Sequence, residues 1–99
     1  MKPVRFLQSA REDLKREKSY YRKISPELAH RFQNAVEFAV NSVAHQPFAM
    51  QAIDNHIRRW PLETFPHGIL YRVEIEFILI LAVFHPKQSP SRWQDSSRM

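Results

Sequence analysis

The stretch FPHGILYRVEIEFILILAVFHP, residues 65–86, constrains the fold more than any other part of this chain. Its second half, Phe77 to Phe84, is an apolar run without alternation, the pattern of a central strand covered on both faces. Gly68 to Phe84 is too long for one ordinary strand, so a reversal is expected at the polar interruption Glu74-Ile75-Glu76, although the Asn-Gly or Asp-Gly chemistry of tight hairpins is missing. Two neighbouring ribbons that reverse near Ile75 are expected to bring Arg72 and His85 to a shared border.

The rest of the chain must cover this sheet. Pro3 to Gln8 is short, extended in character and begins with a proline, which suits an edge strand. Ser9-Ala10-Arg11-Glu12 has the Ser-x-x-Glu form of a capping box, and Ala10, Leu14, Tyr21 and Ile24 follow at helical spacing. Tyr20 and Tyr21 are accounted for by packing. Along another edge of the same helix Arg11, Lys15, Lys18 and Arg22 align, for which a solvated face is the ordinary explanation. Ser25-Pro26-Glu27 starts a second helix with a serine cap, a proline at the first helical position and an acid at the positive dipole end. Leu28, Phe32, Ala35, Val36, Ala39, Val40 and Val43 carry its period to about His45, where Gln46-Pro47 ends it. The link at Ser25 predicts an antiparallel helix hairpin, which covers only one face of a sheet. Pro47 to Asn55 reads as a loop, and Ile57-Arg58-Arg59-Trp60 as a strand.

The expected architecture is therefore α+β: an N-terminal strand, a helix hairpin, then a three-strand antiparallel meander, giving a sheet of about four strands. At 99 residues the chain is expected to form one domain, 1–99, ending in a polar tail at 86–99 that is irregular or briefly helical. The absence of cysteine excludes disulfides and thiolate chemistry. The amino end reaches charged residues before a signal-type apolar stretch forms, so a cytoplasmic protein is expected. The excess of 15 Lys and Arg over 10 Asp and Glu suits an anionic partner without choosing one.

Particular residues sharpen this outline. The order Leu28-Ala29-x-Arg31-Phe32, Arg58-Arg59, Phe65-Pro66-x-Gly68-Ile69-x-Tyr71-Arg72, Ile80-Leu81-Ala82-Val83-x-His85 and Pro90-x-x-Trp93 resembles the RelE/ParE toxins of type II toxin–antitoxin systems, nearer the ParE branch. The resemblance spans nearly the whole chain. It implies a cognate antitoxin as partner, a plasmid-stabilisation role and one of two targets: DNA gyrase, poisoned by the ParE branch, or ribosome-bound messenger RNA, cut by the RelE branch. The RelE branch uses arginines and lysines of the last strands and a tail tyrosine. Here the tail has Trp93 and no tyrosine, and Gly68 stands about where one of those arginines belongs. Many relatives also carry His-x-x-Arg-x-Pro after the last strand, whereas Gln88 replaces that arginine in His85-Pro86-Lys87-Gln88-Ser89-Pro90.

The resemblance thus favours a ParE-like inhibitor that binds gyrase and has no catalytic residue of its own. Target-binding candidates are Arg72, His85, Lys87, Arg92 and Trp93, with the first three as a cationic cluster at one end of the sheet. The plainer account of these is a surface pair, a strand-end histidine, a solvated lysine and a tail tryptophan folded onto the core. An alternative is a RelE-like ribosome-dependent endoribonuclease using Arg72, His85 and Lys87, and a further one is an inactive toxin-derived protein that keeps antitoxin binding. The five histidines, His30, His45, His56, His67 and His85, have no metal-ligand spacing, so neither metal nor cofactor is expected.

Overall fold

The computed structural model describes residues 1–54 and 56–87. In chain order the elements are β1 (Val4–Phe6), α1 (Gln8–Ile24), α2 (Pro26–His45), β2 (Ala52–Asp54), β3 (Ile57–Pro61), β4 (Gly68–Val73) and β5 (Ile78–Phe84). The strands form one mixed sheet of five in the order β1-β5-β4-β3-β2. The α+β reading holds, with the N-terminal strand on an edge and the reversal where Glu74-Ile75-Glu76 interrupts the apolar run: Glu74 N–H donates to Phe77 C=O at 2.8 Å, and Ile75 is 92 % exposed. Gln88, Arg92 and Trp93, with the reading of the tail, lie outside the described residues.

The expected count of strands was one short. Ala52–Asp54 lies within the segment expected to be a loop, yet it pairs antiparallel with β3, Ala52 opposite Arg58 and Asp54 opposite Ile57. All three residues are exposed, so the strand is held by its backbone ladder and has no buried face from which alternation would arise.

The helix hairpin forms as its caps predict. Ser25 accepts a hydrogen bond from Leu28 N–H at 3.1 Å through its hydroxyl, with Pro26 opening α2. Phe32, Val36, Ala39 and Val43 of α2 and Ala10 of α1 are buried in one cluster with Ile69, Tyr71, Ile78, Ile80 and Val83 of the sheet. Ile24 departs from the expected apolar stripe and is 59 % exposed.

The capping box does not form. α1 begins at Gln8 with Leu7 as its cap residue and no side-chain cap bond, because Ser9 is used elsewhere. Parallel pairing of β1 with β5 ends at Phe6 and Ile80, and Leu7 N–H donates to Ile80 C=O at 3.0 Å before the chain turns into α1. Beyond that point α1 supplies partners for the β5 backbone: the Ser9 hydroxyl donates to Leu81 C=O at 3.4 Å, and Asp13 Oδ2 accepts from Val83 N–H at 3.1 Å. Ser9 and Asp13 stand one helical turn apart on the same face, so one helix edge replaces the departed strand.

The apolar run lacks alternation for two reasons. β5 lies between β1 and β4, and a register shift in its pairing with β4 takes the partners from Leu70 and Ala82 to Tyr71 and Ile80, leaving Leu81 as the extra residue of a bulge. Leu81 and Ala82 consequently join Ile57 and Leu70 in a second buried cluster, separate from the helix-covered one. The lone glycine has a steric reason. A Cβ on Gly68 would lie 2.5 Å from Nε and 2.9 Å from Cγ of Arg59, whose side chain crosses over it. Among the described residues no helix is long and apolar enough to cross a membrane.

Candidate functional site

Antiparallel pairing sets what meets at the end of the sheet. Gly68 pairs with Phe84, so the residues just beyond them, His67 and His85, come together with ring centroids 4.8 Å apart and planes at 87°. His67 is fully buried, in edge contact with Phe32 at 4.9 Å, and its Nε2 lies 2.6 Å from Oε1 of Glu17 on α1. Arg16 bridges the remainder: its Nε lies 3.6 Å from Glu17 Oε2 and its Nη2 3.0 Å from Asp13 Oδ1. A chain of polar contacts therefore runs from the β5 backbone through Asp13, Arg16 and Glu17 to His67.

The electrostatics of His67 follow from this setting. Burial pushes its pKa below the usual histidine value, and the charge of His85 adds to that, while the hydrogen bond and charge of Glu17 act in the opposite direction. Nδ1 of His67 is buried without a hydrogen-bond partner, so a proton there would be stranded. The ring is neutral, with Nε2–H donating to Glu17. At His85, Nδ1 accepts from Lys87 N–H at 3.0 Å, which places the proton of the neutral ring on Nε2. Burial first, then the charges of Glu17 and Tyr20, raise the pKa of Tyr21 above its ordinary value.

A proton held off in the folded state makes stability depend on pH. Unfolded His67 titrates near 6.5 and folded His67 below it, so between those values the unfolded chain binds more protons. The contribution of His67 is complete above about pH 6.5 and is lost as pH falls through the folded pKa. Urea unfolding at pH 7.5 and 5.0 should show wild type losing more stability than His67→Gln. The His67 resonance should titrate below 6.5, and a value at or above 6.5 would contradict the buried neutral ring.

His85 and Lys87 open onto a cleft of about 530 Å³ that they line with Arg16, Glu17, Tyr20, Tyr21 and Ile24. Tyr20 and Ile24 are each 59 % exposed at its rim. Packing explains Tyr21, which stacks against Phe32 and Phe65, but not Tyr20. The cleft offers two cations, one accessible imidazole and an aromatic and aliphatic rim.

The three-residue cluster expected at one end of the sheet is not assembled. Arg72 pairs with Leu79, near the reversal, and lies four residues along β4 from Gly68, roughly 13 Å from the His85 end at ordinary strand rise. It also lies on the other face: Ile69 and Tyr71 belong to the helix-side cluster and Leu70 to the second one, and alternation puts Arg72 with Leu70. Its Nε contacts Glu74 Oε1 at 2.5 Å. An antiparallel pair joins residues equally far from its reversal; Arg72 stands close to the turn and His85 far from it. The same rule points to His67 as the partner of His85, and it was available in the sequence. Nothing there marked Asp13, Arg16 or Glu17, because their role depends on where α1 crosses the sheet.

The family profile described as ParE toxin of type II toxin-antitoxin system, parDE, matches residues 4–90, from β1 past the His85 end of the sheet. The chain belongs to the ParE toxin family. A solved structure described as "Chromosomal ParDE TA system from P. aeruginosa" is similar to it, with a TM-score of 0.64 at 20% sequence identity over 86% of this chain and 96% of that one. At that identity the ParE likeness is one of fold. No functionally curated protein matches the chain. The resemblance read from Gly68-Ile69-x-Tyr71-Arg72 and Ile80-Leu81-Ala82-Val83-x-His85 is therefore upheld, and those ParE segments are β4 and β5. Membership does not depend on the Arg72–His85 border, which fails, because the pattern records the strands rather than a shared edge.

Proposed function

We propose that this ParE toxin acts on DNA gyrase by binding, through the cleft beside His85, and that its cognate antitoxin covers the apolar groove between β1 and α2. The observation that carries the first part is the cleft's make-up: Arg16 and Lys87 beside the exposed Tyr20 and Ile24 make a polar and aromatic contact surface. Cleavage through a ribose 2′-OH asks for a base, an acid and phosphate-holding cations together. Glu17 is already engaged by His67 and Arg16, and Arg72 lies near the reversal, away from His85 and Lys87, which supports binding over cleavage. The second part is supported by a groove of about 490 Å³ lined by Val4, Phe6, Leu14, Val36 and Val40, beside an edge strand with one unpaired side. Such a surface accepts an added strand or an amphipathic helix.

The test is purified toxin assayed for inhibition of gyrase supercoiling and, in parallel, for cleavage of ribosome-bound messenger RNA. Inhibition without cleavage is expected. His85→Ala with Lys87→Ala should weaken inhibition about 10- to 100-fold, the scale of losing contact residues. Cleavage abolished by the same pair would establish the endoribonuclease instead, and expression without growth arrest would leave an inactive antitoxin-binding protein.

A further inference from the structure

We propose that the outer face of α1 is a docking strip for the phosphate backbone of a nucleic-acid duplex. Arg11, Lys15, Lys18 and Arg22 fall within about 60° of arc on the helix and extend over roughly 16 Å of its length. With Leu14 and Ser19 they line a groove of about 380 Å³, and Lys18 and Arg22 continue into an adjoining hollow of about 210 Å³ beside Pro26, Ala29 and His30. Among the described residues none of the four has a carboxylate within salt-bridge distance; the ion pairs fall on Arg16, His67 and Arg72. Of the three acids on α1, Asp13 and Glu17 are turned to the sheet and to His67, and Glu12 accepts a hydrogen bond from Gln8 Nε2 at 3.5 Å.

The spacing makes this more than a solvated face. Arg11 with Lys15 and Lys18 with Arg22 are i,i+4 neighbours and Lys15 with Lys18 are i,i+3, so each cation stands next to another cation. Such like-charged pairs destabilise a helix, and among the described residues no ion pair to any of the four offsets it. A ligand that supplies regularly spaced anions does. One strand of a duplex presents a phosphate for roughly every 3.4 Å of axis, so a strip of this length faces several. An acidic protein is a poorer match, because Leu14 is the only apolar lining residue and protein interfaces are anchored by buried aromatic groups. A single strand is poorer too, since no ring lines the groove to stack on a base. The strip is independent of the gyrase proposal: it lies apart from the cleft beside His85 and shares no lining residue with it.

Fluorescence anisotropy of the full chain with a labelled 20-bp DNA duplex tests it, with an RNA duplex of the same sequence alongside to identify the preferred source; binding of either supports the strip. Four phosphate contacts predict a log–log salt slope of roughly −3 to −4, or about 100-fold weaker binding at 200 mM than at 50 mM salt. Lys15→Gln with Lys18→Gln should flatten the slope by about 2, since each lost contact removes about 0.9. The control pair Lys23→Gln with Arg31→Gln, which removes the same charge, should keep it. Circular dichroism melts should show the Lys15/Lys18 variant as stable as wild type or more so, because like-charge contacts are gone. Absence of binding at 50 mM salt would overturn the proposal, as would an equal loss in both variant pairs or a polyglutamate peptide binding more tightly than either duplex.

Discussion

Replacing Phe32 by Ala is expected to cost about 3–5 kcal/mol of folding stability, the largest effect of any single substitution considered. Phe32 is fully buried, and its ring lies 5.2 Å from Tyr21, 5.2 Å from Phe65 and 4.9 Å from His67. It thus joins α1, α2, the segment before β4 and the buried histidine at one point. Truncation removes the transfer energy of the ring and leaves a hole that three partly rigid rings cannot collapse into. For a domain of this size each kcal/mol lowers the melting temperature by about 4–8 °C, so a thermal melt should fall on the order of 20 °C. Phe32→Leu keeps most of the volume and should fall much less. A loss under 1 kcal/mol for the alanine variant would show that the aromatic cluster is not the centre of the core.

Asp13→Ala is expected to cost about 2–3 kcal/mol, although a carboxylate on a helix facing a sheet looks dispensable by hydrophobicity alone. The side chain is fully buried, and its two oxygens hold Val83 N–H at 3.1 Å and Arg16 Nη2 at 3.0 Å. Its removal strands a backbone N–H of β5, and an unsatisfied buried donor costs more than an ordinary hydrogen bond contributes. Asp13→Asn keeps an oxygen for Val83 and loses the charged contact to Arg16. Because the Arg16 side chain is 48% exposed, solvent screens that contact and its loss should be worth under about 1 kcal/mol. Urea titrations should therefore rank the alanine variant well below asparagine. Equal losses would place the importance in the charge instead of in the acceptor for Val83.

Much of the fold was legible because it rests on local rules. Ser25-Pro26 announced the start of α2, Gln46-Pro47 its end, and the polar break at Glu74 to Glu76 the reversal between β4 and β5. Where a local rule had a competitor, reading failed. Ser9 and Glu12 form a capping-box pattern, but Ser9 instead meets a carbonyl of β5, 72 residues away in sequence. Ala52–Asp54 had no buried face to betray it as a strand. In the candidate site, His85 and Lys87 were named from the family pattern and lie together on one cleft, while Arg72 was misplaced by ignoring both the distance from the turn and the face of the strand.

The sequence by itself determined the helix hairpin, the paired β4 and β5 and the family, since caps, periods and turn positions act between residues a few places apart. Only the tertiary structure decided that α1 closes the free side of β5 with Ser9 and Asp13, and that His67 lies buried between Glu17 and His85. Those contacts join residues 18 to 72 positions apart. Whether a carboxylate or an imidazole at such a distance becomes a surface charge or a buried partner depends on which backbone groups the folded sheet leaves unpaired.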